Sequence, residues 1–307
     1  MAATPAAENQ SRRQPKNGGP RISLEMKMLL PVLFLLALLS LFPFLYIIFM
    51  SFNTVSMIGG ISFDFAGLDN WTRMFTDEVV GAAWLRGILY FLATVGLELV
   101  LGIGMALLVH ELVWGKNLAL SLLLLPMFMA PVIVGLLGRF LTDGTYGLYA
   151  WFLNTTGVFQ QDILGTPSSA LLAVILMDVW EWTPLIMLIV LAGLSSVDQA
   201  TLEAAKVDGA GYWQRLRHVV VPAVSGIVVV ALLIRSMDAI RYFDVIFITT
   251  NGGPGNATKI IPIRLYETAF RFFDLGYAAA IGLGMLAFSI LVANAFVAIL
   301  KRRGLAR

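Results

Sequence analysis

Long apolar runs recur along this chain of 307 residues, and they exclude most other ways of folding it. A helix needs roughly 20 apolar residues to cross the hydrocarbon core of a bilayer. By that measure spans are expected near Met28–Phe52, Ala83–Val109, Leu118–Leu141, Ser169–Leu194, Ala223–Ile248 and Tyr277–Leu300. Each backbone polar group exposed in lipid costs several kcal/mol, so the spans read as helices. The expected fold is an all-α integral membrane protein with six transmembrane helices. Pro31, Pro43, Pro126, Pro131 and Pro184 fall within the runs, where they mark bends. Composition agrees: only 13% of residues are charged, against about 25% in soluble domains.

The absence of cysteine excludes a disulfide framework, a Cys-based metal site and a thiol nucleophile. His110 and His218 are too few for a His-rich metal centre. The first apolar run is too long for the h-region of a signal peptide and has no evident cleavage site, so it reads as a retained span.

Basic residues set the expected orientation. Residues 1–27 read as a disordered basic tail, 28–300 as the membrane domain and 301–307 as a second basic tail, with both termini in the cytoplasm. Asp64, Asp69, Asp77 and Glu78 then lie outside, as do Asp143 and Asp162. The loop 195–222, with Lys206, Arg215 and Arg217, lies inside. Segment 251–276 dissents, since it should be outside yet holds Lys259, Arg264 and Arg271.

Within loop 195–222, Ser196 or Asp198 is suited to cap a short helix beginning near Gln199. Asp208-Gly209 supplies its stop, because glycine adopts the left-handed terminal conformation cheaply. A second short helix is expected over Tyr212–Val219, and Pro222 opens the next span. Small Ala204 and Ala205 permit close approach of a partner's backbone, and Glu203 offers a carboxylate to an Arg or backbone donor. An amphipathic helix lying on the lipid surface is an equally good reading of these residues.

The fourth and fifth spans carry exceptional charges. Asp178, Glu181, Trp182 and Leu185 share one helical face, and Arg235, Asp238, Ala239 and Tyr242 repeat the spacing. An ionisable side chain near the bilayer centre costs at least ~2.5 kcal/mol, so these groups face a polar cavity or one another. One outcome is a structural network of i,i+3 pairs, Arg235 with Asp238 and Arg241 with Asp244, the latter nearer the interface. Glu98, alone in the second span, reads as a polar helix-packing group, and Trp71, Trp84, Trp114 and Trp151 as interfacial anchors. Glu98, Asp178, Glu181 and Asp238 together also suit a proton-coupled secondary transporter.

Glu203-Ala-Ala, three residues, Gly209, nine residues and Val-x-Val-Pro222 resembles the cytoplasmic loop of ABC importer permeases, with Val219 and Val221 in place of Ile and Leu. The resemblance implies a type I importer permease in the cytoplasmic (inner) membrane. It also implies that Glu203, Ala204, Ala205, Asp208, Gly209 and Pro222 couple the chain to an ATPase. The chain has no G-x-x-x-x-G-K-[ST] phosphate loop. It is therefore expected to be no enzyme and to hold no cofactor, ATP and Mg being bound by partner ATPase subunits. Trp180–Pro184, Thr249–Pro254, Tyr266–Phe270 and Gly276–Ala280 are similar to the carbohydrate branch of these permeases, the maltose/glycerol-phosphate type, which includes trehalose importers of mycobacteria.

That branch's mid-membrane sugar contacts correspond to Asp178, Trp182, Leu185, Arg235 and Ala239, with Phe128 and Val132 beside Pro131. Several are apolar, which leaves the larger share of contacts to a partner. The implied partners are a second homologous permease, two ATPase subunits, an extracytoplasmic sugar-binding protein (a lipoprotein) and membrane lipid, with no nucleic acid. The implied cargo is a disaccharide such as trehalose. Another small solute such as glycerol phosphate is the alternative.

Overall fold

The structure, a computed structural model, describes residues 24–57 and 59–302. The expected N-terminal tail up to residue 23, and the end of the C-terminal one from residue 303, lie outside the described residues. Packing divides the chain at Ile47/Ile48 into two compact units. The first unit holds most of helix α1 (Leu24–Ser51), exposed from Met26 through Ile47. An apolar helix with no buried side is stable in hydrocarbon, where its leucines and phenylalanines need no protein cover.

The second unit begins with an antiparallel pair, β1 (Asn53–Ser56) and β2 (Ser62–Phe65), a small departure from an all-helical chain. Next come α2 (Asp69–Thr76), α3 (Glu78–Glu111), α4 (Lys116–Leu124), α5 (Pro131–Thr142), α6 (Leu148–Thr155), α7 (Pro167–Ser195) and α8 (Gln199–Val207). The remainder is α9 (Tyr212–Arg215), α10 (Val221–Ala239), α11 (Asp244–Thr249), α12 (Ile261–Tyr266) and α13 (Leu275–Arg302). Five stretches among the described residues are long and apolar enough to cross a membrane: Met26–Ser51, Glu78–Glu111, Pro167–Ser195, Tyr212–Thr249 and Leu275–Arg302.

The third expected span is not one helix. Leu118–Leu141 divides into α4, a 3₁₀ turn at Pro126–Phe128 and α5. Ala130 is extended (ψ 137°) because the ring of Pro131 disfavours the helical conformation in the residue before it. The 12 residues of α5 rise only about 18 Å, short of the ~30 Å core. Pro184, by contrast, sits inside an unbroken α7.

The region before the fifth span also differs from expectation. Tyr212–Ala239 runs without interruption, α9 passing through a π-helical turn at Leu216–Val220 into α10. Val221 N–H donates back to the Leu216 carbonyl, five residues earlier. The widened turn admits Pro222, which lacks an N–H and would crowd the carbonyl of residue i−4 in a regular helix. Pro222 thus lies within a continuous rod rather than at its start. The rod ends at Ala239, and α11 begins only at Asp244.

α3 packs along α7, and α10 packs on both. At Gly102 the two backbones are so close that an added Cβ would lie 2.8 Å from Ile186 Cγ2 and 3.1 Å from Met187 N. One apolar cluster, around Tyr90, Val174, Val179, Tyr242 and Ile246, joins α3, α5, α7 and the segment after α10. A second, around Ala106, Ile186, Met187, Val190 and Val224, joins the C-terminal halves of α3 and α7 to α10.

Candidate functional site

The charged residues converge between the two clusters. Glu98 projects from α3, Asp178 and Glu181 from α7, and Arg235 from α10; all four are buried. Arg235 grips Glu98 with two bonds, Nε to Oε2 at 2.7 Å and Nη2 to Oε1 at 2.9 Å. Its Nη2 also donates to Asp178 Oδ1 at 2.5 Å. The other Asp178 oxygen accepts from Tyr90 Oη at 2.7 Å. Beside this set, Tyr242 Oη donates to Glu181 Oε2 at 2.9 Å, and the Tyr90 and Tyr242 rings stack with centroids 5.9 Å apart. Trp182 lies with its ring 5.6 Å from the Arg235 guanidinium carbon, within cation–π range.

The structure thus brings together Asp178, Glu181, Trp182, Arg235 and Tyr242, with Asp238 at the edge. The expected Arg235–Asp238 pair exists but is long, Nη1 to Oδ2 at 3.6 Å. Arg241 does not pair with Asp244. It approaches Asp238 at 3.8 Å and donates to the Met237 carbonyl at 3.1 Å. The helix has ended before Arg241, so i,i+3 spacing no longer aligns it with Asp244. Ala239 is buried and Leu185 half-buried. Phe128 and Val132 are exposed at the break between α4 and α5, and among the described residues they share no hydrogen bond or ring contact with the network.

Two central residues escaped the sequence reading of the site. Glu98 is the main partner of Arg235, and Tyr90 completes Asp178. Glu98 carried a signal: no basic residue stands three or four positions away on α3, so its counter-charge had to come from another helix. Nothing distinguished Tyr90 from other buried tyrosines. The tryptophans divide as well. Trp114 and Trp151 are exposed, whereas Trp71 and Trp84 pack against the cluster around Met74, Tyr277 and Met285.

One guanidinium thus faces three buried carboxyls. Its Nε and Nη2 donors are taken up by Glu98 and Asp178, whereas Glu181 Oε1, Trp182 Nε1 and Arg235 Nη1 are buried without a hydrogen-bond partner among the described residues. Such atoms cost of order 1–3 kcal/mol each when left unmade. One acceptor and two donors held beside aromatic rings suit a ligand that offers hydroxyls and apolar C–H faces.

The exposed loop has its own construction. Asp198 caps α8, accepting from Ala200 N at 3.1 Å and from Thr201 Oγ1 at 2.9 Å. The Thr201 hydroxyl, then the Ala200 amide, hold the Asp198 carboxyl below its ordinary range. Ser196 instead donates its hydroxyl to the Gly193 carbonyl. Gly209 takes φ +81° and ends the helix as expected. Glu203, Ala204 and Asp208 are exposed, and α8 has no fully buried residue; Leu202 ties it to the second apolar cluster.

At α3's opposite end, the dissenting cations are all paired. Lys259 meets Glu267 at 2.9 Å, Arg264 meets Asp77 at 3.5 Å, and Arg271 meets Glu267 at 3.4 Å. Asp77 also caps α3, accepting from Val79 N and Val80 N, and accepts from Tyr277 Oη. Burial pushes its carboxyl up, but these bonds and the Arg264 charge outweigh it and leave the group below its ordinary value.

Residues 98–304 match the family model of the binding-protein-dependent transport system inner membrane component. The chain belongs to that family. It is a multi-pass inner-membrane permease of the ABC importer type, and the ATPase is not part of it. The trehalose/maltose transport system permease protein MalF of Thermococcus litoralis is 32% identical over 234 residues, covering 76% of this chain and 78% of that one. The trehalose transport system permease protein SugA of Mycobacterium tuberculosis is 31% identical over 275 residues, covering 89% and 87%. A permease fold of the same kind occurs in a bacterial alginate ABC transporter solved with an alginate pentasaccharide-bound periplasmic protein. It has TM-score 0.79 and 20% identity, covering 91% of this chain and 94% of that one.

Proposed function

We propose that this permease subunit carries a carbohydrate inward, a disaccharide such as trehalose, driven by ATP that separate subunits hydrolyse. The observation that carries the reading is α8: a capped, exposed helix joined at one end to α7 and at the other, through Gly209, to the Tyr212–Ala239 rod. α7 holds Asp178 and Glu181, and the rod holds Arg235. From Tyr212 to Arg235 the rod spans about 35 Å at 1.5 Å per residue, so a push on the loop has a continuous helical path to the buried network.

In this reading the basic flanks put both termini and the loop in the cytoplasm, with six membrane crossings including the broken α4–α5 segment. Glu203, Ala204, Ala205, Asp208 and Gly209 dock on an ATPase subunit, and Pro222 fixes the adjoining turn. Two such subunits bind ATP and Mg; closure of the pair rocks the bundle, which needs differential binding of nucleotide to two states. A second permease and an extracytoplasmic sugar-binding protein complete the importer. Sugar is supported by the names of the Thermococcus and Mycobacterium relatives and by the unpartnered Glu181 Oε1 and Trp182 Nε1. Glycerol phosphate fits less well, because Arg235 is committed to Glu98 and Asp178.

The test is ATPase and uptake measured together on the reconstituted complex, with a panel of disaccharides and the binding protein. Glu203→Ala should abolish sugar uptake while the binding protein still loads sugar; unchanged uptake refutes the coupling role. The excess of buried carboxyls favours a second reading, coupling to protons. Uptake abolished by an uncoupler with ATP held high would establish that reading instead.

A further inference from the structure

Beneath α8 lies a cavity of about 400 Å³ that neither the sugar site nor the coupling surface uses. It is lined where α3 and α7 end and the Tyr212–Ala239 rod begins. Leu107, Leu194 and Val220 give it an apolar part. Lys206 of α8 and Arg215 of α9 bring two cations to it, opposed by the single carboxylate of Glu111. Tyr212, His110 and Gln199 complete the polar lining, and His110 Nδ1 is buried without a hydrogen-bond partner among the described residues.

Neither cation is committed elsewhere. Among the described residues Lys206 and Arg215 enter no ion pair, and the Arg215 side chain makes one long bond, 3.4 Å, to the Ala210 carbonyl. An Arg fork, a Lys ammonium, a phenol and an imidazole around a part-apolar cavity match a phosphate group on a partly apolar molecule. A volume of this size lies within the range of small-molecule sites. α8 is held to the bundle mainly through Leu202, so a ligand bridging Lys206 on α8 to Arg215 and His110 would tie the loop down.

We propose that this cavity binds a phosphate group, and that its occupancy holds α8 in place and raises the efficiency of coupling. Two sources share the chemistry. The cavity sits at the ends of the apolar stretches Glu78–Glu111 and Pro167–Ser195, so an anionic phospholipid headgroup is one source; a soluble phosphorylated metabolite is the other. Binding stands independently of the function proposed above, whereas the effect on coupling rests on it.

The experiment uses the whole importer in nanodiscs without nucleotide. In one arm, retention of phosphatidylglycerol from a phosphatidylcholine mixture is read by native mass spectrometry. In the other, inorganic phosphate is titrated in pure phosphatidylcholine. Binding confined to the first arm identifies the lipid, and binding in the second identifies a soluble ligand. Lys206→Gln, which breaks no ion pair among the described residues, and Arg215→Gln should each weaken binding about tenfold, the worth of one charge-assisted bond. Arg217→Gln, an exposed cation outside the cavity, should leave it unchanged. Binding in neither arm, or equal loss in Arg217→Gln, overturns the site. The coupling effect is read as sugar imported per ATP hydrolysed, with and without the bound probe; an unchanged ratio in a complex that Glu203→Ala does uncouple overturns that effect alone.

Discussion

Glu98→Ala is the substitution whose effect the buried network predicts most sharply. Arg235 is fully buried, and Glu98 accepts from both its Nε and its Nη2. Removing the carboxylate leaves Nε with no acceptor and Nη2 with Asp178 alone, while Nη1 has only Asp238 at 3.6 Å. Two charge-assisted bonds at about 1.5–3 kcal/mol each set the scale. Breaking a buried ion pair by deleting one partner costs about 3–5 kcal/mol, because the remaining charge is uncompensated. Neutral hydrogen bonds between membrane helices average only about 0.6 kcal/mol. The difference decides the test. Denaturant titration of the permease in mixed micelles should give a loss of about 3–5 kcal/mol for Glu98→Ala. Glu98→Gln, which keeps one acceptor, should lose less. A cycle with Arg235→Gln should return a coupling energy of at least about 2 kcal/mol, since contacting groups are not additive. A loss below about 1 kcal/mol for Glu98→Ala would mean that water or rearrangement compensates Arg235, and the network would not be the tie between α3, α7 and α10 described above.

Three further outcomes follow from the same structure. Gly102→Ala should destabilise the permease by about 1–3 kcal/mol, the cost of overpacking, because the new methyl meets Ile186 and Met187. Gly104→Ala, with nothing within 4 Å, should be neutral or gain up to about 1 kcal/mol of helix propensity in the same titration. Tyr242→Phe leaves Glu181 with neither oxygen bonded, at a cost of about 1–3 kcal/mol; radiolabelled sugar uptake should fall while ATPase assembly on the complex is kept. Asp77 has a depressed carboxyl, so its contribution to stability is fully present above the ordinary value near ~3.9 and is lost as pH falls through the folded value. Thermal midpoints should therefore drop below about pH 4, and Asp77→Asn should be less stable near neutrality with a shallower acid decline.

Much of the site was legible at the level of single helices. Asp178, Glu181 and Trp182 are spaced to share a face, as are Arg235 and Tyr242, and the cost of charge in lipid required them to meet something polar. Which groups they met was not legible. The nearest candidate for Arg235 along the chain was Asp238, three residues away, yet its closest partners are Glu98 and Asp178, 137 and 57 residues distant. Helical spacing reports neighbours on one helix and is silent about the rotation of another. Pro126, Pro131 and Pro184 all mark bends in the sequence, which by itself does not distinguish a proline that breaks a helix from one carried within it. Pro184 is carried inside α7, while Pro131 starts a new helix.

By itself the sequence determined the solvent this protein lives in, the positions of its principal helices and the ends of its exposed loop. Those follow from local properties: an apolar run of sufficient length, a cap at Ser196 or Asp198 and a Gly209 stop, each acting within a few residues. Only the tertiary structure decided the pairing of Arg235 with Glu98 across α3 and α10 and the close approach at Gly102. Those depend on how helices from distant parts of the chain are rotated against one another. That rotation is set by the fit of whole buried surfaces rather than by any one segment.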